Sequence, residues 1–262
     1  MRRQRNQPRE VSGVVVVTGG ASGLGESIVH RFAADGYRVV VADLDEPRAQ
    51  RVADNLTAAG HVVDAMTVDV TSEGEVAALF DAVGEGQRRL DALVCSAAIE
   101  TRSSVVDCDD EQWQRVIDVN VKGPFLCMKH GIPVLARSGG GAVVLLGSVL
   151  GAMAAPGYAA YCTSKTALVN LAKQAAIEHA IDGVRVNVVS PSATDTGLFA
   201  RIAAESGDPD GVRRMVAAGT PMGRLGRADE VSATVAFLCS PAAAFISGAV
   251  IPVDGAMAAR RL

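Results

Sequence analysis

Short β-branched runs and helical periodicities alternate along this chain from near its start to its end. Val14 to Val17 is an unbroken run of valines, the pattern of a strand buried on both faces. Leu24, Ile28 and Phe32 recur every fourth residue and predict one face of a helix. A second strand is predicted at Val39 to Val41, a helix over Glu46 to Ala59 that stops at Gly60, and a third strand at Val62 to Val68. Ser72 and Glu75 stand at capping-box spacing before a helix that carries Val76, Leu79, Phe80 and Val83. Ala92 to Cys95 reads as the fourth strand, and Asp109 with Gln112 opens a helix bearing Trp113, Val116 and Ile117. Ala142 to Leu146 makes a fifth strand, followed by a helix after Pro156. A sixth strand at Val184 to Val189, a helix near Asp229 to Cys239 and a seventh strand at Ala249 to Val253 complete the series.

This alternation predicts an α/β protein: a single doubly wound, Rossmann-like domain of about seven parallel strands with helices on both faces. We place the domain over residues 11–262 and read residues 1–10, with Arg2, Arg3, Arg5 and Arg9, as a solvated, mobile basic tail. Ser192 to Arg227 lacks sustained periodicity, and a loop of that length in a compact domain is expected to be functional, here beside the substrate. Ser138 to Ser164 carries no charge, but its glycines and Pro156 break it into strand, loop and helix, so no membrane span is predicted.

Composition narrows the choice. A net charge of −4 argues against nucleic acid as a partner. No signal-peptide segment follows the basic tail, and the 5 cysteines are widely spaced without a CxxC pair. That fits free thiols in a reducing cytoplasm. The 4 histidines lie far apart, so no metal site is predicted.

The first strand runs straight into Thr18-Gly19-Gly20-Ala21-Ser22-Gly23-Leu24-Gly25 and then a helix. Glycines in that context let backbone turn tightly and approach a pyrophosphate at a helix N-terminus. Asp43 closes the second strand, where a carboxylate would bond the adenosine ribose hydroxyls; the alternative is a cap for the helix that follows. Tyr161-x3-Lys165 puts a phenol and an ammonium on one helix face, and the ammonium is expected to lower the phenol pKa. Ser148 ends the fifth strand, where ligands of open α/β sheets bind.

Together these residues resemble the short-chain dehydrogenase/reductase family, in its single-domain branch, from Val14 to Gly255. The resemblance makes Asn120, Ser148, Tyr161 and Lys165 the catalytic tetrad, with Asn120 to Gly123 as the family's N-x-x-G. It implies that Tyr161 is the acid/base, Lys165 holds the nicotinamide ribose, Ser148 bonds the substrate oxygen and Asn120 anchors a water-linked proton relay. It further implies cofactor contacts at Gly19, Ser22, Gly23, Leu24 and Gly25, at Asp43, at Asp69 and Val70 around the adenine, and at Ser96 and Ala97. Asn120, Tyr161, Lys165, Pro191, Thr194 and Thr196 complete that set. The chain departs from the family at Cys95-Ser96-Ala97-Ala98 for N-N-A-G, Pro191-Ser192 for P-G and Asp254-Gly255-Ala256 for D-G-G.

The expected activity is hydride transfer between NAD(H) and a secondary alcohol or ketone. Asp43 disfavours the nearest alternative, a 3-oxoacyl-thioester reductase using NADPH, because a carboxylate repels a 2′-phosphate. A cofactor-binding regulator without turnover is disfavoured by the intact tetrad. The resemblance also implies a homotetramer, or a dimer. Helices near Asp110 to Leu135 and Gly157 to Ala180 would pack across one interface through Ala159, Ala160, Ala167, Ala172, Ala175 and Ala176, unless those alanines face the sheet.

Overall fold

The valine runs form the middle of one parallel sheet. In the computed structural model, which describes residues 11–85 and 89–259 and only the backbone of Leu198 and Ile202, its strands are β1 (Val14–Thr18), β2 (Arg38–Asp43), β3 (Val63–Thr67), β4 (Ala92–Cys95), β5 (Gly141–Leu146), β6 (Val184–Pro191) and β9 (Val250–Val253). The order is β3-β2-β1-β4-β5-β6-β9, and neighbouring strands are parallel throughout. This is the doubly wound sheet that the alternation predicts. Strand order reverses between β1 and β4, and a crevice for ligands opens there beyond the strands' carboxyl ends.

Successive residues of a strand face opposite ways, so one valine run supplies both sides of the sheet. Val15 and Val17 enter the apolar layer under α1 (Gly23–Ala34) and α2 (Glu46–Ala58), with Ile28, Phe32 and Leu56. Val16 enters the other layer, with Leu79 and Phe80 of α3 (Glu73–Gly84) and Leu135 of α5 (Gly123–Arg137). Each fully buried valine contributes roughly 1.5–3 kcal/mol of transfer free energy.

Several local expectations are revised. Ser72 is the N-cap of α3 but makes no side-chain cap bond. Glu75 Oε2 instead accepts from the Asp69 N–H at 2.9 Å, tying the helix back to the end of β3. Asp109 does cap α4 (Asp110–Ile117), accepting from the Gln112 N–H at 2.7 Å. Between α4 and α5 the chain winds as a π-helix over Asp118–Lys122. Along α6 (Ala159–Glu178), Ala160, Ala172, Ala175 and Ala176 are buried within the chain's own core, so these four face the sheet.

Ser192 to Arg227 is not an irregular loop. It holds β7 (Thr194–Asp195), α7 (Gly197–Glu205), α8 (Pro209–Gly219) and β8 (Gly226–Arg227), before α9 (Ala228–Cys239). β7 and β8 pair in parallel and clamp the base of this insertion. No residue of α8 is buried, although Val212, Met215 and Val216 recur at helical spacing along one side of it. The basic tail and residues 260–262 lie outside the described residues.

Candidate active site

The glycine-rich turn owes its sequence to two kinds of constraint. A Cβ at Gly25 would meet the Gly19 carbonyl oxygen at 1.9 Å, so this glycine serves the packing of turn against helix. Gly23 lies at φ +56° with open space where a Cβ would stand, so its demand is conformational, and the backbone there faces a cleft. Free N–H groups of the first turn of α1 point the same way, a suitable cradle for a pyrophosphate. Ser22 is the helix N-cap, and its side chain makes no cap bond.

Asp43 is placed beside this turn and helps to shape it. Its Oδ2 accepts from the Ala21 N–H at 3.0 Å and its Oδ1 from the Asp45 N–H at 3.0 Å. It is not the cap of α2. Asp45 fills that position, accepting from the Arg48 N–H at 3.0 Å. A carboxylate has about four acceptor positions, so Asp43 keeps capacity for ribose hydroxyls.

The remaining residues expected at the cofactor lie at or just after the carboxyl ends of β1, β3, β4 and β6. Gly19 packs on Ala97, whose backbone N a Cβ would meet at 2.7 Å. Ser96 donates its N–H to the Thr18 carbonyl, and Ala98, for which the family has glycine, is exposed. The Asp69 carboxylate accepts from both the N–H and the hydroxyl of Thr71 at 2.8 Å. Val70 is buried against Gly123, where a Cβ would meet its side chain at 2.8 Å. Pro191 ends β6, the buried Thr194 donates its hydroxyl to the Ser192 carbonyl at 2.9 Å, and Thr196 caps α7. Ala256, the third departure, adopts φ +70°, and its N–H is held by Asp254 at 3.0 Å. A nicotinamide dinucleotide therefore fits the residues present.

The four polar residues of the expected tetrad converge beyond β4 and β5. The π-turn carries Asn120 into the interior, where it is fully buried. Its Oδ1 accepts from the Ile99 N–H at 2.8 Å, and its Nδ2 donates to the Ile99 carbonyl at 2.9 Å and to Ser164 Oγ at 3.0 Å. Ser164 in turn donates to the Tyr161 carbonyl at 2.7 Å. Asn120 thus locks the first turn of α6 to the loop after β4. π-Turns of this kind are frequent at functional sites. Ser148 follows β5, accepts from the Leu150 N–H at 3.2 Å and stands close enough to the Tyr161 phenol to lower its pKa. Lys165, 3 % exposed, donates to the Leu146 carbonyl at 2.8 Å and holds its ammonium 5.5 Å from the centre of the Tyr161 ring.

The electrostatics correct one expectation. The Tyr161 phenol is pushed above the ordinary value of 10.0, not below it. Burial of the hydroxyl is the chief cause and the Glu100 carboxylate the next, while Ser148 acts the other way. Burial also depresses Lys165 to about 8, against which Glu100 favours its charged form. Spacing in the sequence correctly brings the two side chains together. It does not reveal the desolvation that each meets, nor Glu100, which belongs to no motif.

α7 follows β6 through β7, and its Arg201 is close enough to act on the charge of Glu100. Phe199 is buried, with the Arg213 guanidinium 5.5 Å from its ring centre, and Arg213 also pairs with Asp195 at 2.8 Å. Arg213 thus links α8 to β7 and α7 across the insertion.

A doubly wound sheet with a glycine-rich turn at its switch point, and a Tyr–Lys–Ser–Asn cluster beyond the strand ends, defines a nucleotide-dependent oxidoreductase. Residues 19–258 match the family model described as enoyl-(acyl carrier protein) reductase, and the chain belongs to the short-chain dehydrogenase/reductase family. It is 40% identical over 243 residues to the cis-4-hydroxycyclohexanecarboxylate dehydrogenase of Sinomonas cyclohexanicum, covering 92% of this chain and 95% of the relative. It is 36% identical over 242 residues to the meso-2,3-butanediol dehydrogenase of Serratia marcescens, covering 92% and 93%. Among solved structures, a short-chain type dehydrogenase/reductase from Mycobacterium ulcerans superposes with a TM-score of 0.89 at 32% identity, covering 96% of this chain and 91% of that one. The chain is an oxidoreductase of CH–OH groups.

Proposed function

We propose that this protein is an NAD(H)-dependent dehydrogenase that interconverts a secondary alcohol and its ketone, with Tyr161 as general acid/base. The observation that carries the reading is the convergence of Ser148, Tyr161, Lys165 and the Asn120 hydrogen bonds in one cluster beyond β5. When bound, a nicotinamide dinucleotide would supply the hydride acceptor or donor and, in its oxidised form, a positive charge. The glycine turn would hold its pyrophosphate and Asp43 its ribose hydroxyls, with Asp69, Val70, Ser96, Ala97, Pro191, Thr194 and Thr196 along its length.

The protein's own task is to orient the substrate and move one proton. Ser148 would donate to or accept from the reacting oxygen while Tyr161 takes its proton in oxidation and returns it in reduction. Lys165 would bind the nicotinamide ribose and favour the phenolate. Asn120, rigidly held, would fix the loop after β4 against the catalytic helix. A screen of secondary alcohols with NAD, read as NADH absorbance, tests the assignment; no oxidation of any alcohol with either dinucleotide would refute it.

The two-helix insertion is proposed as a cover for the substrate. α8 buries no side chain and α7 only Phe199 and Ala203 among those described, so this segment sits at the low end of local stability. Amide exchange in α8 is expected to be faster than in α6, and to slow when cofactor and substrate bind together. Unchanged exchange would mean a fixed wall.

We further propose a cytoplasmic homo-oligomer, a tetramer in the fullest case. Five free cysteines suit a reducing compartment. Four of the six alanines are consumed internally, but exposed apolar side chains remain on or beside the same helices: Phe125 at 47%, Ile177 at 77% and Ile181 at 92%. Phe245 is fully exposed near β9 and offers a second patch. Such side chains in clusters mark association surfaces. Light scattering at micromolar concentration should give a multiple of the chain mass, and a monomer would exclude the assembly.

A further inference from the structure

Glu100 belongs to no motif, yet it stands inside the site. The segment after β4 is pinned at two points. At Ile99, backbone N–H and C=O both bond to Asn120, at 2.8 and 2.9 Å. At Ser103 the backbone bridges to Tyr158, the Ala159 N–H donates to the Ser103 carbonyl at 3.3 Å, and the Ser103 hydroxyl donates to Gln112 at 2.7 Å. Residues 100–102, held between these anchors, are presented to the first turn of α6. There the Arg102 guanidinium lies 5.2 Å from the centre of the Tyr158 ring, which meets the Tyr161 ring edge-on at 6.3 Å.

Glu100 is half-buried, and its carboxylate stands near enough to Tyr158, Tyr161 and Lys165 for its charge to act on all three. Arg102, Lys165 and Arg201 are the cations that favour its charged form. The neighbouring Thr101 hydroxyl is buried without a hydrogen-bond partner among the described residues. A carboxylate is an acceptor only, with about four positions to fill. Next to the point where Tyr161 and Ser148 would hold the reacting oxygen, such a group can be satisfied only by a donor.

We propose that Glu100 is a specificity-determining residue that accepts a hydrogen bond from a second hydroxyl of the substrate, so that neutral diols and hydroxyketones are preferred over monohydric alcohols. The inference rests on the alcohol-oxidoreductase reading of the Tyr161 site and names its substrate class. A monohydric alcohol of the same skeleton would strip water from the carboxylate and return no hydrogen bond.

The test compares matched pairs with NAD, butane-2,3-diol against butan-2-ol and cyclohexane-1,2-diol against cyclohexanol. In the unmodified protein kcat/KM should favour the diol by about ten- to a hundredfold. Glu100→Leu should bring the ratio close to one, and Glu100→Gln should keep part of it, because the carboxamide oxygen still accepts. Glu100→Gln should also move the rising limb of alcohol oxidation to lower pH, since a negative charge near Tyr161 is removed while Ser148, Tyr158, Cys162 and Lys165 stay in place. A merely structural role would leave that limb where it was. Should Glu100→Leu fail to fold, the ratio and the pH limb of Glu100→Gln decide. A ratio near one in the unmodified protein, or an unchanged ratio in Glu100→Gln, overturns the proposal while the dehydrogenase reading stands. If neither member of any pair is oxidised, the dehydrogenase reading and the proposal fall together.

Discussion

Tyr161→Phe is expected to lower turnover by about 10²–10⁴ on a confirmed alcohol substrate, with the fold intact. The substitution keeps the ring and removes only the proton-carrying hydroxyl, and its neighbours Ser148 and Lys165 retain their backbone bonds to Leu150 and Leu146. The pH dependence follows from the state of the phenol. Oxidation needs the phenolate, and burial together with Glu100 holds the Tyr161 phenol above its ordinary value in the protein alone. The oxidation rate should therefore rise with pH until the phenol ionises, while ketone reduction, which needs the protonated form, should fall over the same range. Lys165 is depressed to about 8 by burial, so its ammonium persists below that pH and favours the phenolate there. Lys165→Ala removes that help, so the rising limb should move to higher pH and NAD binding should weaken. Steady-state rates across pH for both variants check these outcomes. Retention of most of the turnover by Tyr161→Phe would refute the proposed mechanism.

The second large effect concerns the choice of dinucleotide. NAD should be preferred over NADP because Asp43 would accept from ribose hydroxyls and repel a 2′-phosphate, and Asp45 and Glu46 deepen the negative field. Replacing Asp43 by serine should cost roughly 1–3 kcal/mol of discrimination, a lost charged hydrogen bond plus relieved repulsion. The structure adds a complication with a remedy. Asp43 also holds the Ala21 and Asp45 N–H groups, so serine should loosen the glycine turn and weaken both cofactors. Asp43→Asn keeps the side-chain shape and one acceptor oxygen, and isolates the charge. Comparing kcat/KM for the two dinucleotides in each variant separates these contributions. Equal values in the unmodified protein would exclude the preference.

The strand order's raw material was plain in the chain. Val14 to Val17 reads as a doubly buried strand because a strand's side chains alternate by covalent geometry, and a run without polar residues leaves neither face for water. Tyr161 and Lys165 were legible as one face of a helix for the same reason, since a separation of four residues is nearly one helical turn. Asn120 was legible only by resemblance. The π-turn that turns it inward adds a residue to one turn, and helical periodicity does not show where such a residue is inserted.

Other features had no local signature. Glu75 sits at capping-box spacing, and Ser72 is indeed the cap residue, but the Asp69 N–H competes for that carboxylate and wins it. The insertion from Ser192 to Arg227 is helical although no single period runs through it, because α7 and α8 are short, of 9 and 11 residues, and the turn between them breaks the phase. Glu100 carries no signature either, since a lone carboxylate after a strand resembles any solvated surface charge.

Secondary structure and the pairing of Tyr161 with Lys165 depend on residues within a turn or two of each other, and such distances are written directly into the order of amino acids. The proton affinities of Tyr161 and Lys165 depend on something else. Both depend on solvent exclusion and on the Glu100 carboxylate from the loop after β4, and that of Tyr161 also on Ser148 beyond β5 and on Tyr158 and Cys162 at the start of α6. Only the folded chain assembles those contributions at one point, and there desolvation is the largest and sets Tyr161 above its ordinary value rather than below it.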